Sequence, residues 1–179
     1  MCFSDSSFAN NDDHTTQIGY IILLVDKYKK CNIIHFKSHK SRRVTRSVLG
    51  GETLAFADAF DTAYMIKRDL EEILKQNVPL KMLTDSKSLF DVITRSSQMS
   101  EKRLMIDIAG VREAYRNMEI CDIGHIRTAN NPADAMTKLV ECNSLNRIIS
   151  SAICDVQVDQ WVIRDKVVDA KGGNVRLSC

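Results

Sequence analysis

The stretch PLKMLTDSKSLFDVI, Pro79 to Ile93, decides how the chain is read. Leu80, Met82 and Leu83 supply the apolar content of a short strand, and Asp85 ends it. Ser86 or Ser88 caps the helix that follows, which carries Leu89, Phe90, Val92 and Ile93. A strand that stops on an acid and turns at once into a helix is half of an α/β crossover. In open α/β sheets, function sits just outside the carboxyl ends of the parallel strands. Asp85 holds such a position, although an Asp there also serves as an ordinary loop or capping residue.

Upstream, SVLGGETLAFADAFDTAYMIKRDLEEILKQN, 47–77, reads as one long helix. Leu54, Ala55, Ala59, Ala63, Ile66, Leu70, Ile73 and Leu74 recur at steps of three and four, with Ser47 as candidate cap. The small residues Ala55, Ala57, Ala59 and Ala63 predict close packing on a sheet. Glu52 is out of character among the apolar Leu49 and Leu54, although an acid near a helix start also favours the macrodipole. Before this helix, CFSDSSF, QIGYIILLVDKY (17–28) and CNIIHFKSHK (31–40) predict three strands in an antiparallel meander. Asp5 lies in the first of them, only four residues after Met1, so that strand is expected to be short.

Downstream, Met105, Ile108, Val111 and Tyr115 give a helical period within 96–119, and ICDIGHIRTA, 120–129, a fifth strand. In NNPADAMTKLV, Asn130 or Asn131 caps a helix, Pro132 takes its first position and Asp134 its first turn. The order β-β-β-α-β-α-α-β-α predicts a mixed α/β sheet of five strands, three antiparallel and then two parallel, with helices on both faces. Residues 1–140 form this domain, and 141–179 an extension: a helix, an edge strand around Trp161 to Ile163 and an irregular tail.

Composition narrows the function classes. At 179 residues, 44% hydrophobic and 27% charged, the chain is ordinary globular material. The net charge of +2 gives no global argument for a nucleic-acid partner, so local clusters must carry it. The richest is KSHKSRRVTR, 37–46, with Lys40, Arg42, Arg43 and Arg46, which reads as a solvated loop or as a phosphate-contacting patch. The six cysteines are scattered without CxxC pairs, which argues against zinc and for reduced thiols in a cytoplasmic or nuclear setting. No apolar run approaches the roughly 20 residues of a membrane span.

Four acids thus share a type of position: Asp5 in the first strand, Glu52 early in the first helix, Asp85 ending the fourth strand and Asp134 opening the last helix. Here the chain resembles a known family. SDSSFANN, QIGYIILLVD, RSVLGGET, LTDSKSLFDV, EKRLMIDI and, most specifically, NPADAMTK are similar to motifs of the RNase H domain of copia-type LTR retrotransposon polyproteins, in its fungal branch. The resemblance runs from about Cys2 to Lys138. It implies an RNase H-like fold and cleavage of the RNA strand of an RNA–DNA hybrid. It also implies a site in which Asp5, Glu52, Asp85 and Asp134 hold two Mg²⁺ or Mn²⁺ ions. Hard cations of this kind take oxygen ligands, and a pair about 4 Å apart clamps a phosphodiester. The implied partners are the hybrid and the reverse transcriptase portion of the parent polyprotein, within a virus-like particle. Lys40, Arg42, Arg43 and Arg46, with Lys102 and Arg103, become candidate backbone contacts. The chain departs from cellular RNases H in lacking a histidine-bearing loop before the last acid, and His125, inside a strand, reads as structural. It starts almost on Asp5 without protease, integrase or reverse transcriptase segments, which points to an excised domain or a remnant reading frame. The alternative function is an inactive relic that acts at most as a nucleic-acid-binding module.

Overall fold

A computed structural model describes residues 1–94 and 102–164, together with the backbone of 167–168 and 174–175. Three strands open the chain: β1 (Cys2–Ser7), β2 (Gln17–Val25) and β3 (Cys31–Lys40). They are followed by α1 (Val48–Leu74), β4 (Lys81–Thr84), α2 (Lys87–Thr94), α3 (Lys102–Arg116) and β5 (Asp122–Ile126). Two short 3-10 helices, Thr128–Asn130 and Pro132–Met136, lead to α4 (Asn143–Ser151) and β6 (Val158–Trp161). A last two-residue pairing joins β7 (Val167–Val168) to β8 (Asn174–Val175), where the sequence predicts irregular chain. The start of the predicted 96–119 helix, residues 96–101, lies outside the described residues, as do 169–173 and 176–179 of the tail.

The main sheet has six strands in the order β3-β2-β1-β4-β5-β6, one more than expected. β1, β2 and β3 pair antiparallel, β4 runs parallel to β1 and to β5, and β6 closes the edge antiparallel to β5. The sixth strand is the expected edge strand, which starts at Val158, ahead of the expected 161–163, and joins the main sheet, for a physical reason. VDQW is exposed at three of its four positions, so it lacks the buried alternation that marks a strand with one face in a core.

Alternation along β1 sorts two cores onto the two faces. Cys2, Tyr20, Ile22 and Met82 pack with Phe56, Ala59 and Ala63 of α1, Leu89 of α2 and Ile108 and Val111 of α3. Phe3, Ile21, Leu23 and Leu83 pack on the opposite face with Ala133, Ile148 and Cys154. Full burial of side chains such as Phe3 and Leu83 contributes about 1.5–3 kcal/mol each. The apolar stripe of α1 works as predicted from Leu54 to Ala63, but Ile73 at its far end is 74% exposed. Helix caps follow the sequence closely. Gly50 N–H donates to Ser47 Oγ, Leu89 N–H to Ser86 Oγ and Ala133 N–H to Asn131 Oδ1.

Two glycines set how closely the layers approach. A Cβ on Gly19 would stand 2.4 Å from the Met136 Cβ, so only glycine lets the Pro132–Met136 helix settle onto β2. A Cβ on Gly51 would stand 2.8 Å from Ser6 Oγ, so only glycine lets α1 lie against the end of β1. Both contacts occur beside Asp5, which pairs with Gly19 across the β1–β2 ladder.

Candidate metal centre

Parallel register brings the first two acids together. Cys2, Phe3 and Ser4 pair with Met82, Leu83 and Thr84, so one step further along each strand places Asp5 beside Asp85. β1 runs its full six residues at the centre of the sheet, and its closeness to Met1 does not displace Asp5. The Pro132–Met136 helix brings Asp134 over the same point. Asp5, Asp85 and Asp134 each offer a carboxylate oxygen, and these oxygens lie within 4.8 Å of one another. Asp5 is only 3% exposed, and the other two are half-buried.

Glu52 is not one of these three. It approaches from α1 on the other face of the sheet, where Ser6 Oγ donates to its Oε1 at 2.9 Å. Glu52 is 5% exposed and its Oε2 has no hydrogen-bond partner. A buried carboxylate oxygen without a donor is costly in an ordinary core.

Burial dominates the titration of the group. It raises Glu52 to about 8, with Asp5 and then Asp85 adding repulsion and Ser6 opposing. It raises Asp5 to about 6 against the Thr137 hydrogen bond and Lys138, with Asp134 and Asp85 adding to the rise. Asp134 is also raised, burial outweighing Lys138. Acids crowded in this way cannot all ionise cheaply without an added cation.

Four polar residues around the acids escaped the sequence reading as site components: Ser6, Asn131, Thr137 and Lys138. Fully buried Asn131 caps the 3-10 helix and donates through Nδ2 to Asp85 Oδ1 and to the Ser4 carbonyl, both at 3.0 Å. It therefore ties β1, Asp85 and the Asp134 segment together. Thr137 Oγ1 donates to Asp5 Oδ2, and Lys138 Nζ lies 3.0 Å from Asp134 Oδ1 and 3.7 Å from Asp5 Oδ2. The signal was present in NPADAMTK, since Thr137 and Lys138 stand three and four residues after Asp134 and so share its side of a helical turn. His125 Nε2 lies 3.3 Å from the backbone carbonyl of Asp85, not its carboxylate, and the imidazole packs near Phe90.

The predicted basic contacts divide. Lys40 pairs with Asp13 at 2.9 Å and Arg43 with Asp107 at 3.0 Å, and Arg42, Arg46, Lys102 and Arg103 are exposed. Arg43, Arg46 and Arg103 line one cavity of about 310 Å³ with Thr45 and Gly50, at the start of α1. Lys40, Arg42 and Lys102 do not line it.

The donor set fits a hard divalent cation. It is all oxygen, carries formal charge beyond what Lys138 can balance, and keeps two buried carboxylate oxygens without a hydrogen bond, Glu52 Oε2 and Asp134 Oδ1, the latter met only by the Lys138 ion pair.

Comparison with known proteins bears on the fold. No family model matches the chain. In sequence it is 26% identical over 142 residues to the Transposon Ty1-DR5 Gag-Pol polyprotein of Saccharomyces cerevisiae, covering 77% of the chain. It is 27% identical over the same length to the Ty1-ER2 polyprotein of that yeast. The chain spans 8% of the length of these curated relatives. In fold it matches RNase H1 of the archaeon Halobacterium salinarum, with a TM-score of 0.57 and 18% identity over 81% of the chain and 96% of that protein. It also matches LC11-RNase H1, solved in complex with an RNA/DNA hybrid, with a TM-score of 0.56 and 17% identity over 75% of the chain and 91% of that protein. The chain has the RNase H fold and, in sequence, resembles the RNase H domain of copia-type retrotransposon polyproteins, as its motifs led us to expect.

Proposed function

We propose that the chain is a metal-dependent endoribonuclease that cleaves the RNA strand of RNA–DNA hybrids. The observation that carries this reading is the convergence of Asp5, Asp85 and Asp134 oxygens within 4.8 Å, at the ends of parallel strands. Asp5, Asp85 and Asp134 hold Mg²⁺ or Mn²⁺, and Glu52 offers its unpartnered Oε2 from the other side of β1. Two such ions, when bound, supply the Lewis acidity that activates water and stabilises a departing 3′ oxygen.

The chain's own residues do the positioning. Asn131 fixes the Asp85 carboxylate and anchors the Asp134 segment to β1. Thr137 orients Asp5, and Ser6 holds Glu52 so that its second oxygen stays available. Burial of Asp5 and Glu52 keeps these acids short of water, which strengthens every charge interaction inside the site. No nucleophilic side chain is required. Arg43, Arg46 and Arg103 grip the hybrid backbone through the cavity at the start of α1, with Lys40, Arg42 and Lys102 adding outer charge.

The domain, residues 1–140 with 141–179 as an extension, works within a longer polyprotein, where the reverse transcriptase portion delivers the hybrid. Its setting is cytoplasmic or nuclear, in a virus-like particle. Asp85→Asn tests the function. The variant should fold, since Asn131 can still meet an amide oxygen at that position, yet lose hybrid cleavage by 10³-fold or more (an estimate in the range of a lost electrostatic contributor). Cleavage at the unsubstituted rate in Mg²⁺ would show that the assignment is wrong.

A further inference from the structure

We propose that Lys138 is a built-in competitor of the metal: its ammonium sits between Asp134 and Asp5 and must leave before a divalent ion can be taken up on that side of the site. The inference rests on the metal-binding reading above and deepens it.

The geometry is lopsided. Asp85 has its Oδ1 engaged by a neutral donor, the Asn131 amide, at 3.0 Å. Asp134 and Asp5 instead face Lys138 Nζ, at 3.0 and 3.7 Å. An ammonium and a divalent ion want the same carboxylate lone pairs, and Mg²⁺ takes its oxygens at about 2.0–2.1 Å, closer than an ammonium can come. The two cations therefore exclude each other at Asp134 and Asp5, while the Asp85 side stays open to a first ion.

The segment is built to hold Lys138 there. The Lys138 and Thr137 amides both donate to the Asp134 carbonyl, at 3.0 and 3.2 Å, which closes the turn. Thr137 then locks the same turn onto Asp5. The Lys138 side chain is 34% exposed, so the ammonium has a path to solvent when it is displaced. The ammonium gives the crowded acids a cation before metal arrives, and metal uptake becomes an exchange of one cation for another. The consequence is two unequal metal affinities in a site whose ligands are all carboxylates.

The test is calorimetric titration of the folded chain with Mn²⁺ alone, with melting curves taken in parallel. Wild type should take one ion well and a second weakly. Lys138→Met should bind the weaker ion about tenfold more tightly or better. Its metal-free form should melt below wild type and recover in Mn²⁺, whereas Lys138→Arg, which keeps the charge, should bind as wild type does. If Lys138→Met does not fold, Lys138→Gln takes its place with the same expectation. Identical isotherms for wild type and the neutral variants would overturn the proposal and leave the metal-binding reading standing, provided Asp85→Asn still abolishes binding. A Lys138→Arg variant that tightens binding as Lys138→Met does would also overturn it. Failure of every variant and of wild type to bind Mn²⁺ would remove both.

Discussion

The carboxylate centre and the basic segment at 37–46, which is the end of β3 and the loop after it, are two charged regions built in opposite ways. At the centre, like charges are buried together with one lysine among them, and Glu52 keeps an oxygen that nothing satisfies. In the basic segment, cations lie at or near the surface and several already have partners: half-buried Lys37 with Asp58, Lys40 with Asp13 and Arg43 with Asp107. Exposed pairs of this kind are worth about 0–1 kcal/mol and constrain little. Buried acids facing one another are expensive and persist only where something compensates them. A charged surface is common, whereas a buried to half-buried, under-compensated group of acids at and beside the ends of parallel strands is an unfinished site.

Neutralising one residue in each region separates the two most strongly. Asp5→Asn should abolish cleavage of a labelled hybrid, a loss of about 10³-fold or more. Arg43→Ala should reduce kcat/KM by roughly tenfold or less, chiefly through KM. A larger effect from Arg43 than from Asp5 would move the functional centre to the loop.

The next effect is on stability. Asp5 and Glu52 titrate near 6 and 8 in the folded chain, against ordinary values of 3.8 and 4.5. The folded state therefore holds its protons longer than the unfolded state. Their contribution is full below about pH 4 and is lost as pH rises through 6 and on to 8. With metal absent, Tm should fall by about 5–10 °C between pH 5 and pH 8, and saturating Mg²⁺ should flatten that slope. Thermal melts at several pH values, with and without Mg²⁺, check it. A flat metal-free profile would mean that the acids are compensated in some other way.

A smaller change follows at Asn131. Asn131→Ala removes donors to Asp85 and to the Ser4 carbonyl in a fully buried position, and should cost about 1–3 kcal/mol of stability. Cleavage should drop with it, because Asp85 loses its orientation, and denaturant unfolding alongside a hybrid assay separates the two effects. Smallest is the electrostatic footprint. Arg46→Ala and Arg103→Ala should each weaken hybrid binding and lower the slope of log affinity against log salt by about 1, as loss of a phosphate contact requires. An unchanged slope would leave these residues as solvated surface.

Much of the frame was legible because local rules set it. β3 spans the predicted 31–40, and Ser47, Ser86 and Asn131 cap where their positions before apolar periods say they should. Glu52 announced itself as an acid among buried neighbours, and its burial bears that out. What the sequence hides is what register and tertiary packing decide. The expected edge strand starts earlier, at Val158, because exposed VDQW has no buried face whose alternation would mark its start. Asn131 reads only as a cap until the β1–β4 pairing places Asp85 beside it. The loop's cations read as free until Asp13 and Asp107 arrive from elsewhere in the chain. Lys138 stood inside the most specific motif, yet its contact with Asp5 joins residues far apart in the sequence.

The central claim is that the acids at the ends of β1 and β4, with Asp134 above them, form a metal-dependent site for cutting RNA paired to DNA. The most direct measurement is cleavage of an end-labelled RNA–DNA hybrid by the purified chain in Mg²⁺, repeated with excess chelator and with an RNA–RNA duplex of the same sequence. The account predicts fragments from the RNA strand of the hybrid in Mg²⁺ only. Cleavage that survives the chelator, or no cleavage of the hybrid by a folded chain saturated with Mg²⁺ or Mn²⁺, would contradict it.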